Sequence, residues 1–227
     1  MAWIETIKAP LATYQTIEPI QVAGFNQLFD DLDGTKSRRM GIGLDTHYDN
    51  KVFSGFEISA RHLSFPISSS NKHSVLILNT SSIQEQKEEL YSGYLYGVLH
   101  KNWSAKSEAR FEVISGFLEP HKIETLSIPT SISYFNPQGF FTSLTGTYVH
   151  QNIERSGRKN EKPEKFFLID ASIGYRFPNR RGIFSIDVKN LFDENFLFQD
   201  INFHSSQTTG TRFVPSRTVF ARVTLNF

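Results

Sequence analysis

The sequence predicts an all-β fold, an antiparallel meander of about nine or ten strands. Three observations predict it. Apolar and polar residues alternate with a period of two over most of the chain, which sets successive side chains on opposite faces of a strand. Short turn-forming links alternate with long polar ones. Helical periodicity is nowhere sustained.

The strands follow in order. Met40, Ile42, Leu44 and Tyr48 alternate with Arg39, Asp45 and His47, predicting a strand over 39–48. Val52, Phe56, Ile58 and Ala60 alternate with Glu57, Ser59 and Arg61 over 51–63. The stretch "LYSGYLYGVLH" gives a strand over 89–100 by composition, with its facing left open. Ala109, Phe111, Val113 and Phe117 alternate with Glu108, Arg110 and Glu112 over 105–117. Two strands, 123–135 and 140–151, flank the turn "NPQG". Phe167, Ile169, Ala171, Ile173, Tyr175 and Phe177 mark 166–177, and Phe184, Ile186 and Val188 mark 182–190. The chain ends in "RTVFARVTLNF", a strand over 216–227 whose alternation only Phe220 breaks. A tenth candidate lies near 14–24, where Pro10 and Pro19 argue against a regular strand. "IQEQKEEL" at 83–90 reads either as a short helix or as a strand entrance.

The connections add direction. "YDNK", "KNWSAK", "NPQG" and "PNRRG" are short, whereas 64–88, 152–165 and 191–215 are long and polar. This arrangement puts the long links on one rim. It is the asymmetry of outer-membrane barrels, in which tilted strands of about 9–11 residues cross the bilayer between short turns and longer outer loops. The apolar residues are expected to face lipid. Asp170, Arg176, Asp187, Arg110, Glu112 and Arg222 are expected to face the lumen.

Composition agrees. Hydrophobic residues make up only 39% of the chain, yet Phe occurs 21 times, which suits strands that are apolar on one face. A net charge of +1 gives no general attraction to nucleic acid. The absence of cysteine excludes disulfides and thiolate sites. No apolar run is long enough for a transmembrane helix, and "MAWIETIKAPLATYQ" does not read as a secretory signal.

The stretch "FFLIDASIGYRFPNRRGIFSIDVKNLFDENFLFQD", followed by "PSRTVFARVTLNF", resembles the end of TonB-dependent outer-membrane receptors. The family pattern falls on Asp170, Tyr175, Arg176, Asn190, Leu191, Phe192, Asp193, Arg217 and Phe227, and covers about 165–227. The segment 18–45 is similar in texture to barrels that sit behind tetratricopeptide repeats. The resemblance implies a cell outer-membrane location and a part in uptake of a siderophore or similar nutrient. It also implies contact with outer-membrane lipid and lipopolysaccharide. Val223, Leu225 and Phe227 match the terminal signal that the barrel assembly machinery reads. Coupling to the TonB system is expected only where a plug lies upstream. Such receptors resemble 22-strand barrels with an N-terminal plug, and neither plug nor TonB box is recognisable here. An odd number of strands cannot close antiparallel. The expectation is therefore a C-terminal barrel segment, 39–227, behind an extension, 1–38.

No catalytic set, cofactor site or metal site is expected. His47, His62, His73, His100, His121, His150 and His204 are scattered and form no metal-ligand pair. His150, His204 and Asp200 fall near the long-loop rim and read as ordinary loop residues. Arg155, Arg158 and Lys159 lie in a charged loop that either is simply solvated or meets lipopolysaccharide phosphates. Two rival readings stand beside uptake. One is a barrel that anchors or exports for an upstream periplasmic repeat domain; the other is a soluble ligand-binding barrel.

Overall fold

A computed structural model describes residues 1–7, 20–22, 25–27, 34–70, 79–116, 120–156, 162–199 and 213–225. The chain forms a 10-stranded antiparallel sheet and a separate 2-stranded one. In chain order the strands are β1 (Ala2–Ile7), β2 (Ile20–Val22), β3 (Phe25–Gln27), β4 (Lys36–Tyr48), β5 (Val52–Ser70), β6 (Asn79–His100), β7 (Trp103–Gly116), β8 (Lys122–Phe135), β9 (Phe140–Glu154), β10 (Glu164–Arg176), β11 (Gly182–Lys189) and β12 (Thr218–Leu225). The main sheet runs β1-β4-β5-β6-β7-β8-β9-β10-β11-β12, and β2 pairs only with β3. Each strand of the main sheet neighbours the next in this order, so the sheet is an open meander with β1 and β12 at its edges.

The all-β meander is the fold expected, with two differences. The tenth strand is Ala2–Ile7, paired with Lys36–Gly41 of β4, rather than a strand over 14–24. Of that expected segment, 14–19 and 23–24 lie outside the described residues, and Ile20–Val22 belongs to the small hairpin. Second, most of the predicted long link 64–88 is strand. β5 continues to Ser70 and β6 begins at Asn79, and these two residues pair. The stretch 83–90 is therefore strand rather than helix. In the sequence 79–88 only Ile83 is apolar, so no alternation marks that part of β6.

Turn chemistry fixes the short links. Asp49 and Asn50 both adopt left-handed φ, 49° and 50°, which Asx residues tolerate, and Lys51 N–H closes the turn on the Tyr48 carbonyl at 3.0 Å. At the β8–β9 link, the Asn136 side chain accepts from Gln138 N–H at 2.9 Å, and Gly139 supplies φ of 102°. Pro178–Arg180 forms a 3-10 turn between β10 and β11. These links all lie on one rim. The β5–β6, β7–β8, β9–β10 and β11–β12 connections lie on the other.

Candidate functional site

Directly paired residues in a ladder share a face, so the register assigns every side chain. Met40, Ile58, Tyr91, Phe111, Leu126, Tyr148, Phe167, Ile173, Phe184 and Val223 fall on one face. That face is exposed: Leu44 is 58% exposed, Leu95 55%, Phe167 55% and Val223 60%. Among the described residues the buried strand side chains lie on the other face, including Ser59, Thr125, Ser127, Thr147 and Ser185; the buried residue on the apolar face is Gly182, which has no side chain. Asp170, Arg176, Asp187, Arg110, Glu112 and Arg222 all lie on that second, polar face, as expected. A water-soluble barrel has the reverse arrangement, with its apolar face turned inward.

The exposed apolar face forms a belt of constant height. It runs from Met40 to Tyr48 on β4, Leu126 to Tyr134 on β8, Phe140 to Tyr148 on β9 and Phe167 to Tyr175 on β10. Each run is about nine residues, roughly 26 Å along the strand at about 3.3 Å per residue. At the short-turn rim the belt ends in aromatic rings. Trp103 and Tyr134 pack at 4.9 Å between centroids, and Tyr48, Phe140 and Tyr175 continue the row. At the opposite edge the same face turns charged, with Arg38, Lys87, Glu89, Lys122, Glu124 and Lys165. The hydrogen-bonded row through Met40 reaches Asn152 on β9, whereas the apolar run of β9 starts at Tyr148. The belt therefore crosses the rows obliquely, as it does where strands are tilted.

Side chains of the same or neighbouring strands satisfy one another on the polar face. Arg39 donates to Glu57 at 2.8 Å and to Ser59 at 3.1 Å. Arg61 donates to Ser37 at 2.9 Å and to Glu88 at 3.3 Å. Tyr96 donates to Glu108 at 2.7 Å, and Arg110 to Glu112 at 2.7 Å. Stacked on Tyr96 at 4.7 Å, Tyr94 donates to Asp45 at 2.6 Å.

Towards the long-loop rim the polar face carries a small apolar core of Val149, Phe166 and Leu168. The segment after β11 folds onto it. Phe196 stacks on Phe166 at 4.3 Å, and Phe198 and Phe213 meet it edge-on. Gln151, 1% exposed, latches this segment to the wall. Its carbonyl oxygen accepts from Gln199 N–H at 2.8 Å, and its amide donates to the Gln199 carbonyl at 2.9 Å and to Thr125 at 3.0 Å. Nothing in the local sequence marks Gln151.

The C-terminal motif residues fall into three groups. Asp170, Asn190, Asp193 and Arg217 form a strand-end lock. Asp170 accepts from Asn190 N–H at 2.9 Å and from the Lys189 ammonium at 2.8 Å. Leu191 N–H donates to the Ile169 carbonyl at 2.7 Å. Asn190 is buried at φ 49°; its side chain accepts from Glu194 N–H at 2.8 Å and donates to the Glu194 carbonyl at 2.9 Å. Asp193 receives Arg217 N–H at 2.7 Å and so fixes the entry to β12. Phe192 is exposed beside the lock. Tyr175 and Arg176 are remote from it, on opposite faces at the short-turn rim, where Tyr175 packs edge-on with Phe177 at 5.9 Å. Val223 and Leu225 are exposed on the apolar face; Phe227 lies outside the described residues.

Among the described residues the histidines are not brought together. His121 hydrogen-bonds Ser156, and His47 faces Phe53. His73 and His204, with Asp200, Arg158 and Lys159, lie outside the described residues. Arg155 points to the Gln199 side chain at 3.5 Å. Among the described residues no group of acidic or histidine side chains could hold a metal ion. No family model, curated protein or solved structure matches the chain.

Proposed function

We propose that this chain is part of the wall of an outer-membrane barrel of the TonB-dependent-receptor type, serving uptake of a siderophore or similar nutrient. The supporting observation is the inversion of the sheet. Its apolar face is exposed in a belt about nine residues high, and its polar face is the buried one. In hydrocarbon every backbone group needs a partner, and unpaired ones cost several kcal/mol each. An antiparallel sheet meets that demand along its interior ladders. The two edge strands, β1 and β12, call for further pairing, either with one another or with further strands. The strand-end motif at Asp170, Asn190, Asp193 and Arg217 supports the receptor type, and uptake follows from that likeness. Coupling to TonB belongs to a plug, not to the wall.

Dilution of the denatured chain into detergent micelles tests the barrel half. The proposal expects folded, heat-modifiable material in micelles and aggregation in buffer alone. A folded monomer in detergent-free buffer counts against it. Deletion of the gene in its host tests the uptake half. Growth should fail when iron or a similar nutrient is supplied only as a chelate. Unchanged growth across such sources contradicts it.

A further inference from the structure

Proline has no N–H to give to a ladder, so within sheets it is confined to edge strands, strand starts and bulges. Pro129 departs from that rule. It stands inside β8, between β7 and β9, within the Leu126 to Tyr134 run of the belt. Towards β9 the ladder is continuous, and Pro129 pairs with Thr147. Towards β7 it is interrupted. Ser107 pairs with Thr130 and Arg110 with Ser127, while the two pairs between them are missing. The register is the same on both sides of this gap, so no bulge absorbs the proline. Pro129 lies opposite Glu108 and offers its carbonyl no N–H.

The other ladders differ. Among the described residues β4–β5, β5–β6, β8–β9, β9–β10 and β10–β11 pair without a gap. The β6–β7 ladder shifts beside its turn, between Val98 and His100.

Side chains sharpen the contrast. On one side of the seam Tyr96 of β6 donates to Glu108 at 2.7 Å. On the other, Gln151 of β9 donates to Thr125 at 3.0 Å and Asn152 to Glu124 at 3.3 Å. On the polar face, then, Glu108 is drawn to β6, and Arg110 bonds Glu112 of its own strand. Beside the gap a pair of hydroxyls crosses from β7 to β8 on the outward face, Ser107 and Thr130, 2.8 Å apart. The two ends of the seam are firmer. Trp103 packs on Tyr134 at the short-turn rim, and the paired Ile114 and Ile123 are both buried towards the long-loop rim. Next to the gap the outward side of β7 is low, with Ala105, Ser107 and Ala109.

We propose that the middle of the β7–β8 seam is an opening built into the wall. There β7 and β8 part between residues 107 and 110, while the seams on either side stay closed. Local openings occur where the fewest bonds must break. Here one backbone bond is absent from the start, and a neutral hydroxyl pair is the latch. Because both ends are anchored, the opening is a slit that joins the polar face to the outward one. The slit itself follows from the ladder; that it leads sideways into a bilayer rests on the membrane reading.

Amide hydrogen exchange, resolved by residue with NMR on the full chain refolded in micelles, reads the seam directly. The amides of 107–110 and 127–130 that link β7 to β8 should exchange about tenfold faster than those linking β8 to β9. Pro129→Thr restores a donor. It should slow the β7–β8 amides to the β8–β9 rate and leave the β9–β10 amides unchanged. Equal exchange at the two seams of wild type overturns the opening. So does a Pro129→Thr variant whose β7–β8 amides exchange as fast as those of wild type. If wild type folds in buffer and not in micelles, the membrane reading falls. The same exchange ratio measured in buffer then decides the seam by itself.

Discussion

Tyr94 of β6 lies across Gly55 of β5 and donates a 2.6 Å hydrogen bond to Asp45 of β4. One ring thus ties three consecutive strands together, and a Cβ at residue 55 would run into Tyr94 and Asp45. Tyr94→Phe is expected to lower stability slightly, since it removes that bond. Gly55→Val should cost more, because it displaces the ring and breaks the bond together. Urea unfolding of vesicle-embedded protein measures both. The order fails if Gly55→Val unfolds at or above the wild-type midpoint.

The two faces should respond oppositely to charge. Leu144 is central in the β9 belt and 47% exposed, whereas its neighbour Thr145 lies on the polar face opposite Asp170. Leu144→Arg is expected to lower stability in bilayers by about 2–4 kcal/mol. Thr145→Lys should shift it by much less, since it meets a polar wall and a carboxylate. Equal costs at the two positions would remove the facial distinction.

Gln151 supplies both halves of a reciprocal bond with the Gln199 backbone. Gln151→Leu leaves the half-buried N–H and C=O of Gln199 without these partners, at about 1 kcal/mol. The segment after β11 should then lift from Phe166 and become cleavable by protease added from the long-loop side. Wild-type resistance in this variant would mean that the phenylalanine cluster alone holds it.

Asn190 combines a left-handed backbone with a side chain that serves Glu194. Asn190→Gly keeps the backbone conformation and loses the bonds; Asn190→Ala loses both. Left-handed φ costs a residue with a Cβ about 1–2 kcal/mol. Alanine should therefore destabilise more than glycine by about that amount in thermal unfolding. An equal loss would show that only the side-chain bonds matter.

Much of this was legible in the sequence because one face of the sheet is apolar along most of its strands. Ile173, Tyr175 and Val223 announce their strands by alternation alone, and the register puts Asp170, Arg176 and Arg222 opposite them. The extension of β5 and β6 to Ser70 and Asn79 was not legible, since 68–70 is a run of serines and 79–88 holds a single apolar residue, Ile83. β1 was missed for a related reason, as a strand of 6 residues holds too few alternations to stand out. Gln151–Gln199 and Tyr94–Asp45 are 48 and 49 residues apart, and nothing local announces either pair. Asn190 and Asp193 were visible as a motif, but their task became clear only when β11 and β12 were seen to be joined through them.

The sharpest test of the inverted sheet uses the chain's lack of cysteine. Single variants Leu144→Cys and Thr145→Cys, each carrying a small fluorophore, are refolded into vesicles containing brominated lipid. Bromine on the acyl chains should quench the label at residue 144 strongly and spare the label at 145. Equal quenching at both sites, or quenching at 145 alone, would contradict a wall whose apolar face meets lipid.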